Sequence, residues 1–184
     1  GSHSLDILNQ SLDTFLKSGV LSSPTFDKSL RDGKGDRSGW CEIKTKVLIL
    51  EGWFVGCEPV LDLFKIDNCA KDVSNLSLTQ SEKEYRVLIQ ESLIEYSRIW
   101  NKLHKIWHLK SSNFDNTFLW KSQQENEMIK IKGSGLKGKN LSDFIRMIQT
   151  SIPQHSLSFI NSDTSVEINQ NRRIKNLKTT KYYF

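Results

Sequence analysis

The segment Lys46-Val-Leu-Ile-Leu-Glu51-Gly52 constrains this chain more than any other. Its aliphatic run has no polar side to turn to solvent. A short run without alternation, closed by an acid and a glycine, is the pattern of a parallel strand buried on both faces. Such a strand needs helices over it, and the chain supplies them. Ser81 to Leu103 predicts a long helix, because Tyr85, Leu88, Ile89, Leu93, Tyr96, Ile99, Trp100 and Leu103 recur at three- and four-residue steps. Leu5 to Leu16 predicts a short amphipathic helix ending before Gly19. Phe114 to Glu127 predicts another, with Phe114, Phe118 and Trp120 inward, and Leu141 to Ile152 a third that Pro153 stops. Ile106 to Leu109, Leu157 to Ile160 and Val166 to Ile168 predict further strands. Leu21 to Gly39, with Pro24, Gly33, Gly35 and Gly39, predicts an ordered, densely charged loop. Strands and helices mixed in this order predict an α/β fold.

At 184 residues, 37% hydrophobic and 26% charged, the chain is long enough for one ordinary core. Its longest apolar run, Val47 to Leu50, is far short of the roughly 18 to 20 residues that span a bilayer. The start has neither the basic nor the apolar region of a secretory signal, so a cytoplasmic setting is the default expectation. Cys41, Cys57 and Cys69 form no CxxC pair and read as free thiols in a reducing compartment. The net charge of +5 admits an anionic partner. Lysines are scattered rather than striped, so nucleic acid is not the expected partner, and Trp100 and Trp107 read as core aromatics rather than base-stacking platforms. Only Arg172 to Lys181 concentrates positive charge, and it reads as a frayed basic tail.

Gly133-Ser-Gly-Leu-Lys-Gly138-Lys139-Asn140 fits G-x-x-x-x-G-K, but a phosphate loop needs a Ser or Thr after the lysine to hold Mg²⁺, and Asn140 has no hydroxyl. The alternation of apolar and basic residues in Met128 to Lys132 suits a half-exposed strand or a helix end, not the buried strand that precedes a phosphate loop. His104 and His108 are four apart, yet the helix is expected to stop between them and no third ligand lies nearby, so they predict no metal site. Two stretches carry more chemistry. Pro24-Thr-Phe-Asp27-Lys28-Ser29 followed by Gly33-Lys-Gly35-Asp36-Arg37 places carboxylates, a lysine and an arginine on a glycine-rich loop suited to a small polar anion, with Arg37 able to hold a carboxylate bidentately. Glu51-Gly52-Trp53 closes the apolar run, putting a carboxylate at the sheet edge where ligands collect, and such an acid suits Mg²⁺ or a bound hydroxyl.

Phe-Asp-Lys-Ser, Gly-Lys-Gly-Asp-Arg and Leu-Glu-Gly-Trp-Phe-Val-Gly, in that order, resemble the D-glycerate 3-kinase family, which belongs with uridine kinase, phosphoribulokinase and pantothenate kinase among P-loop small-molecule kinases. Trp100-Asn-Lys-Leu-His-Lys-Ile-Trp107 is similar to the family's Trp-Asp-Lys segment, Leu119-Trp-Lys-Ser-Gln-Gln-Glu125 to its Trp-Arg-Leu-Gln-Ala-Glu lid, and Gly138 to Pro153 to the segment after the lid. Gly1-Ser2-His3 fits the family's Pro-Gly-Thr/Ser-His-Asp segment and equally a tag remnant. Ser4 stands where the family usually has Asp, and Lys121 where it has Arg, which keeps the charge and loses the planar fork.

The resemblance implies an α/β partial P-loop kinase fold: a mostly parallel sheet flanked by helices, without the amino-terminal phosphate-loop strand and helix that in the family would lie before Gly1. Residues 1–175 are then the carboxyl-terminal kinase portion, with a lid at about 112–140, and 176–184 a basic tail. It implies phosphoryl transfer from ATP with Mg²⁺ to D-glycerate, giving 3-phosphoglycerate. Catalytic roles then fall to Glu51, Arg37 and Asp27. The substrate side takes in His3, Asp27, Lys28, Asp36, Arg37 and Trp53, the ATP side Lys121, Gln123 and Glu125, and the metal Glu51. A separate amino-terminal phosphate-loop segment becomes an expected partner, and the chain alone is expected to turn over poorly. The alternative is a non-catalytic interaction or nucleic-acid-binding module on the same scaffold.

Overall fold

The computed structural model describes residues 4–28, 30–31, 35–60, 77–111, 113, 115–153, 156–157 and 160–179. The chain divides into two compact units, one of residues 1–53 with 125–136 and one of residues 54–124 with 137–184.

In the first unit helix α1 (Leu5–Ser18) buries Leu12 and Ser11, and Ser11 Oγ donates to Ser22 O at 2.6 Å. Gly19 ends it in the left-handed region (φ 72°), which lets its N–H return to Phe15 O at 2.8 Å. The stretch expected to be a loop is instead an antiparallel hairpin, β1 (Val20–Asp27) against β2 (Asp36–Lys44), with a bulge between Thr25 and Phe26. Pro24 is compatible with a strand here because a two-stranded ribbon leaves each strand a free edge. Of the glycines that argued for a loop, Gly35 falls at the turn and Gly39 within β2, and Gly33 lies outside the described residues. Gly35 has φ +81°, and a Cβ there would stand 2.5 Å from the Phe26 ring.

The apolar run that led the sequence argument is not a strand. Residues 45–52 make no ladder among the described residues, and Val47 and Ile49 are 72% and 85% exposed. A strand is made by its neighbours' hydrogen bonds, and here Thr45 Oγ1 takes the Val47 N–H and donates to the Val47 carbonyl instead.

In the second unit α2 (Gln80–Trp100) opens with a complete capping box between Thr79 and Glu82. Strand β3 (Trp107–Ser111), helix α3 (Asn116–Lys132), helix α4 (Gly138–Ser151), β4 (Thr164–Ile168) and β5 (Ile174–Thr179) follow, the last turns of α3 belonging to the first unit. The sheet order is β3-β4-β5, with β3 parallel to β4 and β5 antiparallel. Cys57, Leu93 and Ile152 form the buried centre, packed by Phe54, Ile89, Leu157 and Ile160. Trp100 is buried over it and donates Nε1–H to Cys57 O at 2.9 Å. Arg86, also buried, donates Nε–H to Thr150 O at 2.9 Å, tying α2 to the carboxyl end of α4 where a cation is favoured.

The α/β class stands, in small mixed sheets: one of the three described ladders is parallel, against the mostly parallel sheet expected. Leu157, expected in a strand, lies in a helical turn in which the Ser156 and Leu157 N–H groups reach Pro153 O; residues 158–159 lie outside the described set. β5 takes in much of the stretch read as a frayed tail. Trp107 and Phe118, expected inward, are exposed, and Phe114 lies outside the described residues. Among the described residues no helix is long and apolar enough to cross a membrane.

Candidate functional site

Hairpin formation gathers four of the expected site residues at one end of the first unit. Asp27 ends β1 and Asp36 begins β2 directly opposite it, with Lys28 following in the turn and Arg37 one residue into β2. Two carboxylates at paired positions repel. Arg31 offsets this, its Nε 2.7 Å from Asp36 Oδ2, while Asp36 Oδ1 accepts the Arg37 N–H at 2.8 Å. Arg31 was not singled out in the sequence; its positive φ of 52° in the turn had no sequence signal beyond the surrounding glycines.

Strand alternation separates the set into two faces. Asp27 and Asp36 share one, whereas Arg37 pairs with Phe26 and shares the other. The set thus shares the tip of the hairpin along the chain, with the Arg37 side chain on the face opposite the two carboxylates. Glu51 is exposed and Trp53 about half exposed, both in the same unit beyond β2. His3 lies outside the described residues.

The residues expected in a lid fall on α3. Lys121 Nζ donates to Gln124 Oε1 at 3.0 Å and lies 5.0 Å from the centre of the Phe144 ring, and Gln123 is exposed on the same helix. Trp120 fixes the helix start, donating Nε1–H to Gln170 O at 2.8 Å beneath the Arg172 guanidinium. Glu125, expected to face ATP, is buried, and its Oε2 accepts the Leu136 N–H at 2.8 Å, anchoring the turn after the helix.

The G-x-x-x-x-G-K stretch joins α3 to α4, so a helix and not a strand precedes it. Lys139 is paired with Asp143 at 2.7 Å. An open groove of about 290 Å³ between α2 and α4 is lined by Glu82, Tyr85, Arg146 and Met147 and contains none of the expected site residues. Its arginine is already held by Glu82 at 2.6 Å. No group of three His, Cys, Asp or Glu side chains that could cage a metal occurs among the described residues.

No protein-family model matches the chain. An uncharacterized kinase of Schizosaccharomyces pombe (strain 972 / ATCC 24843), mug58, is 29% identical over 164 residues, covering 84% of this chain and 56% of that protein. The probable ATP-dependent kinase TDA10 of Saccharomyces cerevisiae (strain ATCC 204508 / S288c) is 25% identical over 199 aligned residues, covering 97% of this chain and 64% of that protein. The chain thus spans 56% to 64% of the length of these curated relatives. Among solved structures, D-glycerate 3-kinase from Cryptococcus neoformans var. grubii serotype A superposes with a TM-score of 0.80 over 97% of this chain and 68% of its own, at 22% identity. The YGR205w protein superposes with a TM-score of 0.70 over 97% of this chain and 65% of its own, at 26% identity. The chain has the fold of a solved D-glycerate 3-kinase and is similar in sequence, at 25% to 29% identity, to two proteins named as kinases.

Proposed function

We propose that this chain is the acceptor-binding and lid portion of an ATP-dependent kinase that converts D-glycerate to 3-phosphoglycerate. The observation that carries the reading is the superposition with a D-glycerate 3-kinase over nearly the whole chain. The charged hairpin tip adds a physical reason. A small hydroxy acid seated over the tip meets Arg37 for its carboxylate, Asp27 for its hydroxyls and Lys28 beside them, with Asp36 held in place by Arg31.

In the reaction the acceptor hydroxyl oxygen bonds to the γ-phosphorus, the bond from that phosphorus to the bridging oxygen breaks, ADP leaves, and the hydroxyl proton passes to a base. Catalysis of this kind is positioning plus charge neutralisation. Glu51, an exposed carboxylate, is the residue that would hold Mg²⁺, which would supply positive charge to the phosphate oxygens. Lys121 is a point charge suited to a phosphate oxygen, with Gln123 beside it. Trp53 would border the acceptor, and Glu125, buried against the Leu136 N–H, would act through the turn it anchors.

The test is ADP formation from ATP, Mg²⁺ and D-glycerate, measured on this chain and on a version extended upstream through its reading frame. Turnover in the extended protein alone is expected, and turnover in neither removes the kinase reading. Arg37→Ala in the active protein is expected to lose most kcat/KM for glycerate, and a near-normal value takes Arg37 out of the site.

A further inference from the structure

One face of the second unit's three-stranded sheet is polar throughout. Register sets His108, Ser165 and Lys178 in one row and Lys110, Glu167 and Asn176 in the next, all on that face. Five of the six, all but His108, line a recess of about 30 Å³. Lys110 and Lys178 are exposed on the two outer strands, while Ser165 and Glu167 on the central strand are half-buried. Opposite charges directly across a ladder normally close on each other. Here Lys110 stands opposite Glu167, yet among the described residues no hydrogen bond or ion pair engages the side chains that line the recess. Two ammonium groups, a hydroxyl and an amide are left with protons to donate, and one carboxylate with lone pairs to fill. Burial, with Lys110 adding to it, lowers the His108 pKa, so the imidazole at the end of the Ser165 row brings no charge at neutral pH.

We propose that this recess binds the phosphoryl group of a small hydroxylated phosphate monoester, with Lys110, Lys178, Ser165 and Asn176 donating to the phosphoryl oxygens and Glu167 accepting from a neighbouring hydroxyl of the ligand. Size limits the ligand, since about 30 Å³ seats a single oxyanion group and leaves the rest of the molecule over the face. Charge limits it further. The two lysines outnumber the one glutamate, so an anion is favoured over a cation. A bare anion meets Glu167 as a like charge, whereas a hydroxyl beside the phosphoryl group turns the same carboxylate into an acceptor. Lysines supply mobile point charges suited to phosphate, and the recess has no arginine fork of the kind that grips a planar carboxylate. It contains none of the residues assigned above to acceptor, ATP or metal, and the proposal does not depend on the kinase reading.

The experiment titrates this chain with glycerol 3-phosphate and follows its backbone amides by NMR, with inorganic phosphate and glycerol as comparison probes. Saturable shifts at residues 108–110, 165–167 and 176–178 are expected, with a Kd on the order of 1 mM and the α2 and α4 amides unmoved. Inorganic phosphate is expected to bind about tenfold more weakly, and glycerol to leave these amides unshifted. Lys110→Gln and Lys178→Gln are each expected to weaken ester binding about fivefold, and Lys83→Gln on an exposed part of α2 to leave it unchanged. Glu167→Gln removes the like charge and is expected to bring inorganic phosphate within about twofold of the ester. Ester binding that survives Lys110→Gln and Lys178→Gln together overturns the proposal, as does the lack of saturation at about tenfold the expected Kd. Inorganic phosphate bound as tightly as the ester by the unaltered chain means an adventitious ion only, and overturns it too.

Discussion

Glu82 and Arg146 meet across α2 and α4 in a two-pronged ion pair, Nε to Oε1 at 2.6 Å and Nη2 to Oε2 at 2.8 Å. The same carboxylate completes the capping box with the Thr79 N–H, and Arg146 reaches on to Ser77 O at 3.1 Å. One acid therefore fixes the start of α2 and its crossing with α4. The Arg146 hydrogen bond, then the Thr79 backbone bond, hold its pKa at about 2 against an ordinary 4.5. Because the folded value is the lower one, the stabilisation is complete above about pH 4.5 and is lost as pH falls towards 2. Glu82→Gln is expected to cost about 1–2 kcal/mol at neutral pH, since the pair is partly solvated, and to flatten the acid limb of the stability curve. Urea unfolding from pH 7 to 2 reads both effects, and an unchanged acid limb removes the pair's role.

Trp100 and Cys57 make a second testable pair. The indole N–H satisfies a carbonyl in the buried centre, so Trp100→Phe leaves that acceptor without its donor and is expected to cost about 1–3 kcal/mol in denaturant unfolding. Burial, with the nearby Glu58 charge adding to it, pushes the Cys57 thiol up to about 12. Iodoacetamide at pH 8 is expected to modify Cys57 only as fast as the unit unfolds. Mass spectrometry of the Cys57 peptide checks this, and rapid labelling in native buffer would contradict the packing.

The long helices were legible because their periodicity needs no partner. Of the stripe expected from Tyr85 to Trp100, Leu93, Ile99 and Trp100 are buried while Tyr85 and Leu88 are exposed, the Thr79 and Glu82 start went unread, and Gly19 and Pro153 mark two ends as expected. The strands were less so, since pairing is set by neighbours far along the chain. Nothing in Lys46 to Leu50 says whether a ladder is at hand, and Leu21 to Lys44 hid a hairpin because its glycines and Pro24 signal turns before they signal an edge strand. The resemblance located the charged tip by its motifs. It could not show that Asp27 and Arg37 lie on opposite faces, because a register is not readable from spacing across a turn. Glu125 was read as a ligand-facing acid, and its burial against the Leu136 amide has no signature in the sequence.

Gly35 tests the hairpin tip directly. Its φ of +81° and the Phe26 ring 2.5 Å from where a Cβ would stand leave no room for a side chain without rebuilding the turn. Gly35→Ala is expected to cost at least about 1–3 kcal/mol locally and to speed amide exchange of residues 25–27 and 36–38 while α2 stays protected. In an active enzyme the same change is expected to raise KM for the acceptor more than it lowers kcat. Unchanged exchange at the tip would show that the turn tolerates a side chain.

Lys139 is where the G-x-x-x-x-G-K match stands or falls. A phosphate loop works because a strand delivers the glycines to a helix N-terminus whose lysine is free to reach the β- and γ-phosphates. Here α3 runs to Lys132, Gly138 already opens α4, and the lysine is held one turn on by Asp143 at 2.7 Å. Asn140 offers no hydroxyl to Mg²⁺. Lys139→Ala in the nucleotide-binding form of the protein is therefore expected to leave ATP affinity within about twofold. Titration of a fluorescent ATP analogue measures it, and a loss of tenfold or more, about 1.4 kcal/mol, would return this loop to the phosphates.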